Sequence, residues 1–442
     1  MKFAPAALGI FFLALAAWPQ NSGAAKKGAP AKQSKSAPKK AARRTYKAPV
    51  KRAPAITYAQ RQEANADVAE VLSVEPEYFG NGAGLVPFFE RLYRSQTEPR
   101  PVHVIHYGDS HTASDDLAAT LREAMQTRFG NGGPGFTMPG NPYLGFRRRD
   151  LAQYYNSRGW MTEGALFRKG DGRHGMGGVS LTAYRPGETL GLRAGGDTAE
   201  LLFLQQPGGG SFELWIDGQP RGAYSTDGPL GPASLDMTTV PGERQFLVKT
   251  SSGGPVRLLG AMIDNASGVT WETCGINGAQ ASIIGEWEPR IMAAHLAKRD
   301  PALIVLAYGT NEANGPAWDP DGYAASLRQV LAKLRALAPL SSILLIGPPD
   351  CRIRSPRALD EAVELQRKIA AEMRCGFWDW RGRMGGPGSM RKWVVAGLAQ
   401  YDYVHFTGPG YQLVGRTLFD DLMRLFDRFL RARVEVDDDK GR

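Results

Sequence analysis

Apolar positions follow two rhythms along this chain. In the first, short unbroken apolar runs are each followed by a stretch where apolar residues return every three or four positions. Val102–Tyr107 is such a run, and helical periodicity follows it from Asp115 to Phe129. Ile283–Lys298 reads as a helix, Ala302–Tyr308 as a strand, and Tyr323–Leu337 as a helix. Ile343–Ile346, a helix over Leu359–Met373, the short strand Phe377–Trp380 and a last helix over Tyr411–Leu430 complete the series. A strand that is apolar throughout is buried on both faces, as in a parallel sheet covered by helices. The pattern therefore predicts an α/β fold, with a mostly parallel sheet in a three-layer α/β/α arrangement.

The second rhythm occupies residues 166–268. Helical periodicity disappears there, glycines multiply, and short β-type runs alternate with turn signals. Leu201–Gln205, Phe212–Ile216, Gln245–Lys249 and Val256–Ile263 are the clearest strands, and Asp217-Gly218 and Ser252-Gly253-Gly254 mark turns. An all-β sandwich inserted into the α/β domain is expected, dividing that domain into segments 56–165 and 269–431. Trp215 and Tyr224 in the insertion could stack on sugar rings; core packing is the expected fate of Trp215 on an alternating strand.

The ends of the chain carry neither rhythm. Lys2 precedes an apolar run from Phe3 to Trp18, with small residues at Ser22-Gly23-Ala24-Ala25. That run is short for a spanning helix, which needs ~20 apolar residues, and suits a secretory signal over 1–25. Cleavage is expected, an uncleaved anchor being the alternative, and either places the folded part outside the cytoplasm. Residues 26–55 are rich in Lys, Arg, Ala and Pro with no acid, so they are read as a solvated linker. Its charge offers weak attraction to anionic envelope polymer. Residues 432–442 form an acidic tail, expected to fray over Glu435–Asp439.

Charge changes the picture less than its total suggests. The net charge is +10, but 12 of the 54 Lys and Arg lie in the first 53 residues, leaving 42 basic against 44 acidic residues beyond them. A folded region so close to neutral argues against a nucleic-acid partner. Three cysteines cannot all pair within one chain. Cys351 and Cys375 flank a helix of ~25 Å, which separates them far beyond disulfide reach.

Candidate chemistry sits where predicted strands end. Val102–Tyr107 runs into Gly108-Asp109-Ser110-His111, which places Ser110 at the carboxyl edge of the sheet, beside unsatisfied backbone N–H groups. By itself this is an ordinary turn. Near the end of the chain, Tyr401-Asp402-Tyr403-Val404-His405 puts a carboxylate three residues before a histidine, so Asp402 can hold His405 Nδ1–H while Nε2 takes a serine proton. Tyr308-Gly309-Thr310-Asn311-Glu312 also follows a strand. Its Asn311 amide can donate to an oxyanion or cap a helix. In Cys274-Gly275-Ile276-Asn277-Gly278-Ala279 a glycine lets a backbone N–H approach a ligand closely. His103, His106 and His111 lack metal-ligand spacing and read as sheet and loop residues.

All four blocks in this order resemble the SGNH (GDSL-type) hydrolase family, whose blocks supply Ser, Gly, Asn and His. The resemblance implies a nucleophile at Ser110, an acid–base pair at Asp402 and His405, and an oxyanion hole from Ser110 N–H, Gly278 (Gly275 being the alternative) and Asn311. No Gly-x-Ser-x-Gly elbow is present, which disfavours the ordinary α/β-hydrolase fold. His111 after the serine, Arg128–Phe136 and Tyr308–Ala313 resemble the peptidoglycan O-acetylesterases of Gram-negative envelopes. Those enzymes carry a carbohydrate-binding-module-like β-sandwich in the same interval.

The resemblance implies a serine esterase that removes O-acetyl groups (muramoyl C6) from peptidoglycan through an acetyl-enzyme. It requires no metal or cofactor, and its activity rises as His405 deprotonates. Two alternatives stand beside it: an envelope O-acyltransferase using the same triad, and a glycan-binding protein on a dead scaffold. The intact set Ser110, Asp402 and His405 counts against the second.

Overall fold

Five strands form one parallel sheet in the order Val269–Gly275, Val102–Gly108, Leu303–Ala307, Ser342–Ile346 and Gly376–Trp378. The computed structural model describes residues 56–440, apart from 76–78, 81 and 165–167. The expected leader and linker lie outside the described residues.

Side chains along these strands alternate between two cores, the period-2 consequence of the pleat. Leu303, Val305, Leu344 and Ile346 enter one core with the helices Val86–Arg94, Asp116–Phe129 and Gly408–Lys440. Ile304, Leu306, Ile343 and Leu345 enter the other, with Pro289–Arg299, Pro320–Leu337 and Pro356–Glu372. Each of the last three helices opens on a proline at its first position. The preceding residue caps it: Glu288 accepts from Ile291 N–H, Asp319 from Gly322 N–H and Ser355 from Ala358 N–H. A proline there sacrifices no hydrogen bond, because the first helical N–H groups have no intrahelical partner.

Two helix readings need correction for this reason. The stretch expected as one helix over Ile283–Lys298 is two, Ile283–Glu286 and Pro289–Arg299, because Pro289 holds Glu288 extended at φ −63°, ψ 119°. The helix read from Tyr323 starts at Pro320. The final helix also outruns its reading and continues through the acidic run to Lys440. No Gly or Pro stands between Arg416 and Lys440 to stop it.

A six-stranded and a five-stranded antiparallel sheet make up the inserted β region. One has the order Gly231–Asp236, Thr198–Gln205, Val256–Asp264, Ser180–Ala183 and Met161–Glu163, and Gly135–Thr137 pairs additionally with Val256–Asp264. The other is Gln153–Asn156, Thr189–Gly196, Gly242–Thr250, Ser211–Ile216 and Gln219–Ser225. Strands from 135, 153 and 161 thus join these sheets although they precede residue 166. Phe203 of the first sheet meets Phe212 of the second at 5.7 Å, edge to face, inside the sandwich. Asp217 and Gly218 both take positive φ, the mirror-image turn that suits a two-residue hairpin.

Trp215 departs from its reading. Phe212, Leu214 and Ile216 point into the sandwich, so Trp215 lies on the outer face, where its indole N–H donates to Glu213 at 3.1 Å. The alternation was legible in the sequence, but its parity was not. The sandwich core is continuous with one face of the parallel sheet. At that junction Arg299 pairs with Asp264 of the insertion and with the fully buried Glu272 of the parallel sheet. All three cysteines are free, with Cys274 and Cys375 buried.

Candidate active site

The sheet order decides where the four blocks meet. The nucleophile strand Val102–Gly108 lies between Val269–Gly275 and Leu303–Ala307, so the loops leaving all three emerge side by side at one carboxyl edge. Asp109 ends the strand, accepts from His111 N–H at 2.9 Å and thereby starts the short helix Ser110–Ala113. Ser110 is its first residue. Among the described residues, no acceptor faces the N–H of Ser110 or of Gly278.

Ser110 Oγ lies 2.9 Å from His405 Nε2, and His405 Nδ1 lies 2.7 Å from Asp402 Oδ2. The other Asp402 oxygen accepts the backbone N–H groups of Val404 and His405 at 2.9 and 3.0 Å. Partial burial would raise the Asp402 pKa. The hydrogen bonds from His405 and the loop outweigh it and hold the carboxyl below its ordinary value. Tyr403, inside this loop, adopts φ +60°. Its carbonyl accepts Arg352 N–H at 2.7 Å, and its ring lies 4.5 Å from the Arg352 guanidinium, which ties the histidine loop to the loop after Ser342–Ile346.

The two candidate oxyanion glycines separate by geometry. Gly275 belongs to the strand, and a Cβ there would stand 2.3 Å from Ala113 N, so its glycine serves close packing under the nucleophile helix. Gly278 takes φ +73° in the following turn. Asn311 lies in the short helix Thr310–Ala313, with Gly309 rather than Asn311 at the cap. Its amide nitrogen donates to Asp109 Oδ2 at 3.1 Å and to Ala279 O at 3.0 Å. Both amide hydrogens are engaged in this state, and Asn311 can serve an oxyanion only by sharing or exchanging an acceptor.

Several residues the sequence reading assigned no role complete the site. Asp109 is 1% exposed, and burial pushes its carboxyl up to about 7, against the opposing bond from His111 N–H. Glu312 spans two loops: Oε1 accepts Ala281 N–H at 2.8 Å and Oε2 accepts Gly309 N–H at 2.9 Å. Burial raises its pKa, and these backbone donors oppose the rise. A glutamate three residues after a glycine cap was the legible signal for this role. His111 stacks behind the base, its ring 5.5 Å from that of His405, and its Nδ1 lies 2.9 Å from Tyr411 Oη. Burial foremost, then the neighbouring His405, lowers its pKa to about 3, so His111 is neutral at working pH. Tyr143 donates its hydroxyl to Gly275 O and brings the loop before the insertion onto the glycine strand.

His103 and His106 contribute no ligand geometry. His103 Nδ1 lies 3.0 Å from Thr270 Oγ1, and His106 Nδ1 accepts the Trp271 indole N–H at 3.2 Å. Among the described residues no His, Cys, Asp and Glu group has the arrangement of a metal site.

A serine, an imidazole and a carboxylate in hydrogen-bonding series, beside open backbone N–H groups at a parallel sheet edge, define a carboxylic ester hydrolase. The chain is similar to the SGNH, or GDSL-like lipase/acylhydrolase, family. The family's model matches residues 238–413, which include Gly278, Asn311, Asp402 and His405, while the Ser110 block precedes the matched stretch. The chain is similar to the solved structure of a peptidoglycan O-acetylesterase in action, with 28% identity and a TM-score of 0.67. That likeness covers 79% of this chain and 98% of that one. A family two carbohydrate esterase from Cellvibrio japonicus (12% identity, 67% of this chain and 96% of that one) superposes at a TM-score of only 0.28. TesA (20% identity, 36% and 81%) superposes at 0.29, and neither bears on the site. No curated protein matches the chain.

Proposed function

We propose that this enzyme removes O-acetyl groups from peptidoglycan outside the cytoplasm, at the muramoyl C6 position, through an acetyl-enzyme. The observation that carries the reading is the Ser110–His405–Asp402 series in a fold that spans nearly all of a peptidoglycan O-acetylesterase. The apolar leader and basic linker support export and tethering in the periplasm.

In the proposed reaction, His405 Nε2 takes the Ser110 proton as Oγ attacks the acetyl carbonyl. The N–H groups of Ser110 and Gly278 face the developing oxyanion, and the Asn311 amide joins them by sharing one of its two acceptors. Each such donor contributes ~3–4 kcal/mol in the transition state. His405 next protonates the departing sugar oxygen, then activates a water that releases acetate from Ser110. Asp402 keeps the imidazole in the tautomer that both steps require.

Acetate release from O-acetylated peptidoglycan, measured for the wild type and Ser110→Ala in parallel, tests the proposal. Release by the wild type that vanishes in the variant is the expected result. Ser110-dependent hydrolysis of a small aryl acetate without release from peptidoglycan would overturn the substrate. Recovery of the acetyl group on an added glycan hydroxyl rather than as acetate would reassign the enzyme to acyl transfer.

A further inference from the structure

A cavity of about 220 Å³ opens beside the oxyanion loops. Its near wall is the outer side of those loops: Gln280 and Ala281 follow Gly278, and Glu312 follows Asn311. Its far wall carries Trp318, Asp319 and Tyr323, from the loop after Asn311 and the start of the helix Pro320–Leu337. The volume is below the ~300–1,000 Å³ of sites that enclose a drug-sized ligand, so it suits a single ring.

Its aromatic side is held in place. The half-buried Trp318 donates its indole N–H to Glu361 at 2.6 Å, and its ring packs 5.2 Å from that of Tyr323. Tyr323 is itself buried, with its hydroxyl oxygen accepting from Gln366 at 2.6 Å. A fixed indole keeps one apolar surface wet without losing rotamer freedom when something binds to it. Across from it stands the exposed Gln280 amide, whose nitrogen also reaches Asn311 O at 3.4 Å, and beside the indole stands the exposed Asp319 carboxylate, so a donor and acceptors line the rim. An apolar plate with hydrogen-bonding groups around it matches the chemistry of a pyranose, which has an apolar C–H face and hydroxyls at its edge.

We infer that this cavity is a glycan subsite, in which a pyranose ring next to the ester-bearing sugar packs on Trp318 and bonds to Gln280 and Asp319. The inference rests on the glycan reading above and extends it. The enzyme would recognise its ester within a saccharide chain, through binding that a small acetate cannot use.

The test uses the full-length enzyme with an aryl acetate as reporter and the unacetylated peptidoglycan disaccharide as competitor. Competitive inhibition of the wild type is expected, with an inhibition constant about tenfold weaker for Trp318→Ala, the loss of one aromatic platform. Trp318→Phe, which keeps a ring, should recover most of that loss, and Gln280→Ala should weaken inhibition independently of any effect on folding. Absence of inhibition in the wild type, or equal constants for the wild type and Trp318→Ala, would overturn the subsite. Acetate release decides the substrate separately. Release together with Trp318-independent inhibition removes only the subsite, and Trp318-dependent inhibition without release removes only the peptidoglycan reading.

Discussion

Asn311 Nδ2 lies 3.1 Å from Oδ2 of Asp109, the residue immediately before the nucleophile. The amide proposed for the oxyanion hole is therefore held by a buried carboxyl that is covalently next to Ser110. Burial has pushed that carboxyl up to about 7, so its charge, and its grip on Asn311, change near neutral pH.

Asp109→Asn should lower kcat/KM on an aryl acetate by about 10- to 100-fold, because one of its two acceptor positions becomes an NH₂ facing another donor. The same residue sets a pH dependence of stability. Its folded pKa lies above its ordinary 3.8, so between about pH 4 and 7 the folded chain keeps a proton that the unfolded chain has lost. Its contribution to stability therefore falls as pH rises through that window. Urea unfolding at pH 5 and 8 should show a decline in the wild type that Asp109→Asn reduces. Identical slopes would contradict the buried-carboxyl assignment.

Glu312 joins the loop of Gly278 to the loop of Asn311 through one carboxylate oxygen each. Glu312→Gln leaves only one acceptor for two backbone donors. We expect kcat to fall by about tenfold or more while KM for a small acetate stays within about twofold, since oxyanion geometry rather than ground-state binding is disturbed. A change confined to KM would count against this positioning role.

Gly275→Ala should be more damaging than its distance from the proton path suggests. The added Cβ meets the backbone at Ala113, 2.3 Å away, and must push the Ser110 helix outward. Activity should fall at least 100-fold, since displacements near 1 Å cost about that much. Gly285→Ala, where nothing lies within 4 Å, provides the control and should leave both stability and activity close to wild type. Equal effects at the two positions would refute the close-packing argument.

Arg122 and Asp115 form a buried pair at 2.9 Å just beyond the nucleophile helix, with side chains 4% and 0% exposed. Arg122 also donates to Trp271 O and Thr273 Oγ1, so it braces the glycine strand as well. Arg122→Leu strands the Asp115 charge and should cost about 3–5 kcal/mol in urea unfolding. A loss below about 1 kcal/mol would show that water or another cation compensates.

Much of this architecture was legible because its functional residues are attached to strand ends. Val102–Gly108, Leu303–Ala307 and Ser342–Ile346 announce themselves as apolar runs, and the residues that follow such runs emerge at one edge. Asp402 and His405 were legible as a pair because three residues of loop suffice to close their hydrogen bond. Other features depend on local details that periodicity averages away. Pro289 split a helix whose apolar spacing continues across the break. Gln219–Ser225 is exposed along most of its length, so no alternation marked it as a strand.

The sequence by itself determined the element types, the parallel sheet with its β insertion, and which side chains stand at strand ends. These follow from burial periodicity and backbone chemistry, which act over a few neighbouring residues. Tertiary structure alone decided the order of the strands, and with it the meeting of Ser110 and His405 across 295 residues of chain. It also decided that Trp215 faces outward, that Gly275 packs while Gly278 leaves its N–H open, and that Asp109 holds Asn311. Each of these depends on which surface arrives from a distant part of the chain, and a period of two or 3.6 cannot encode it.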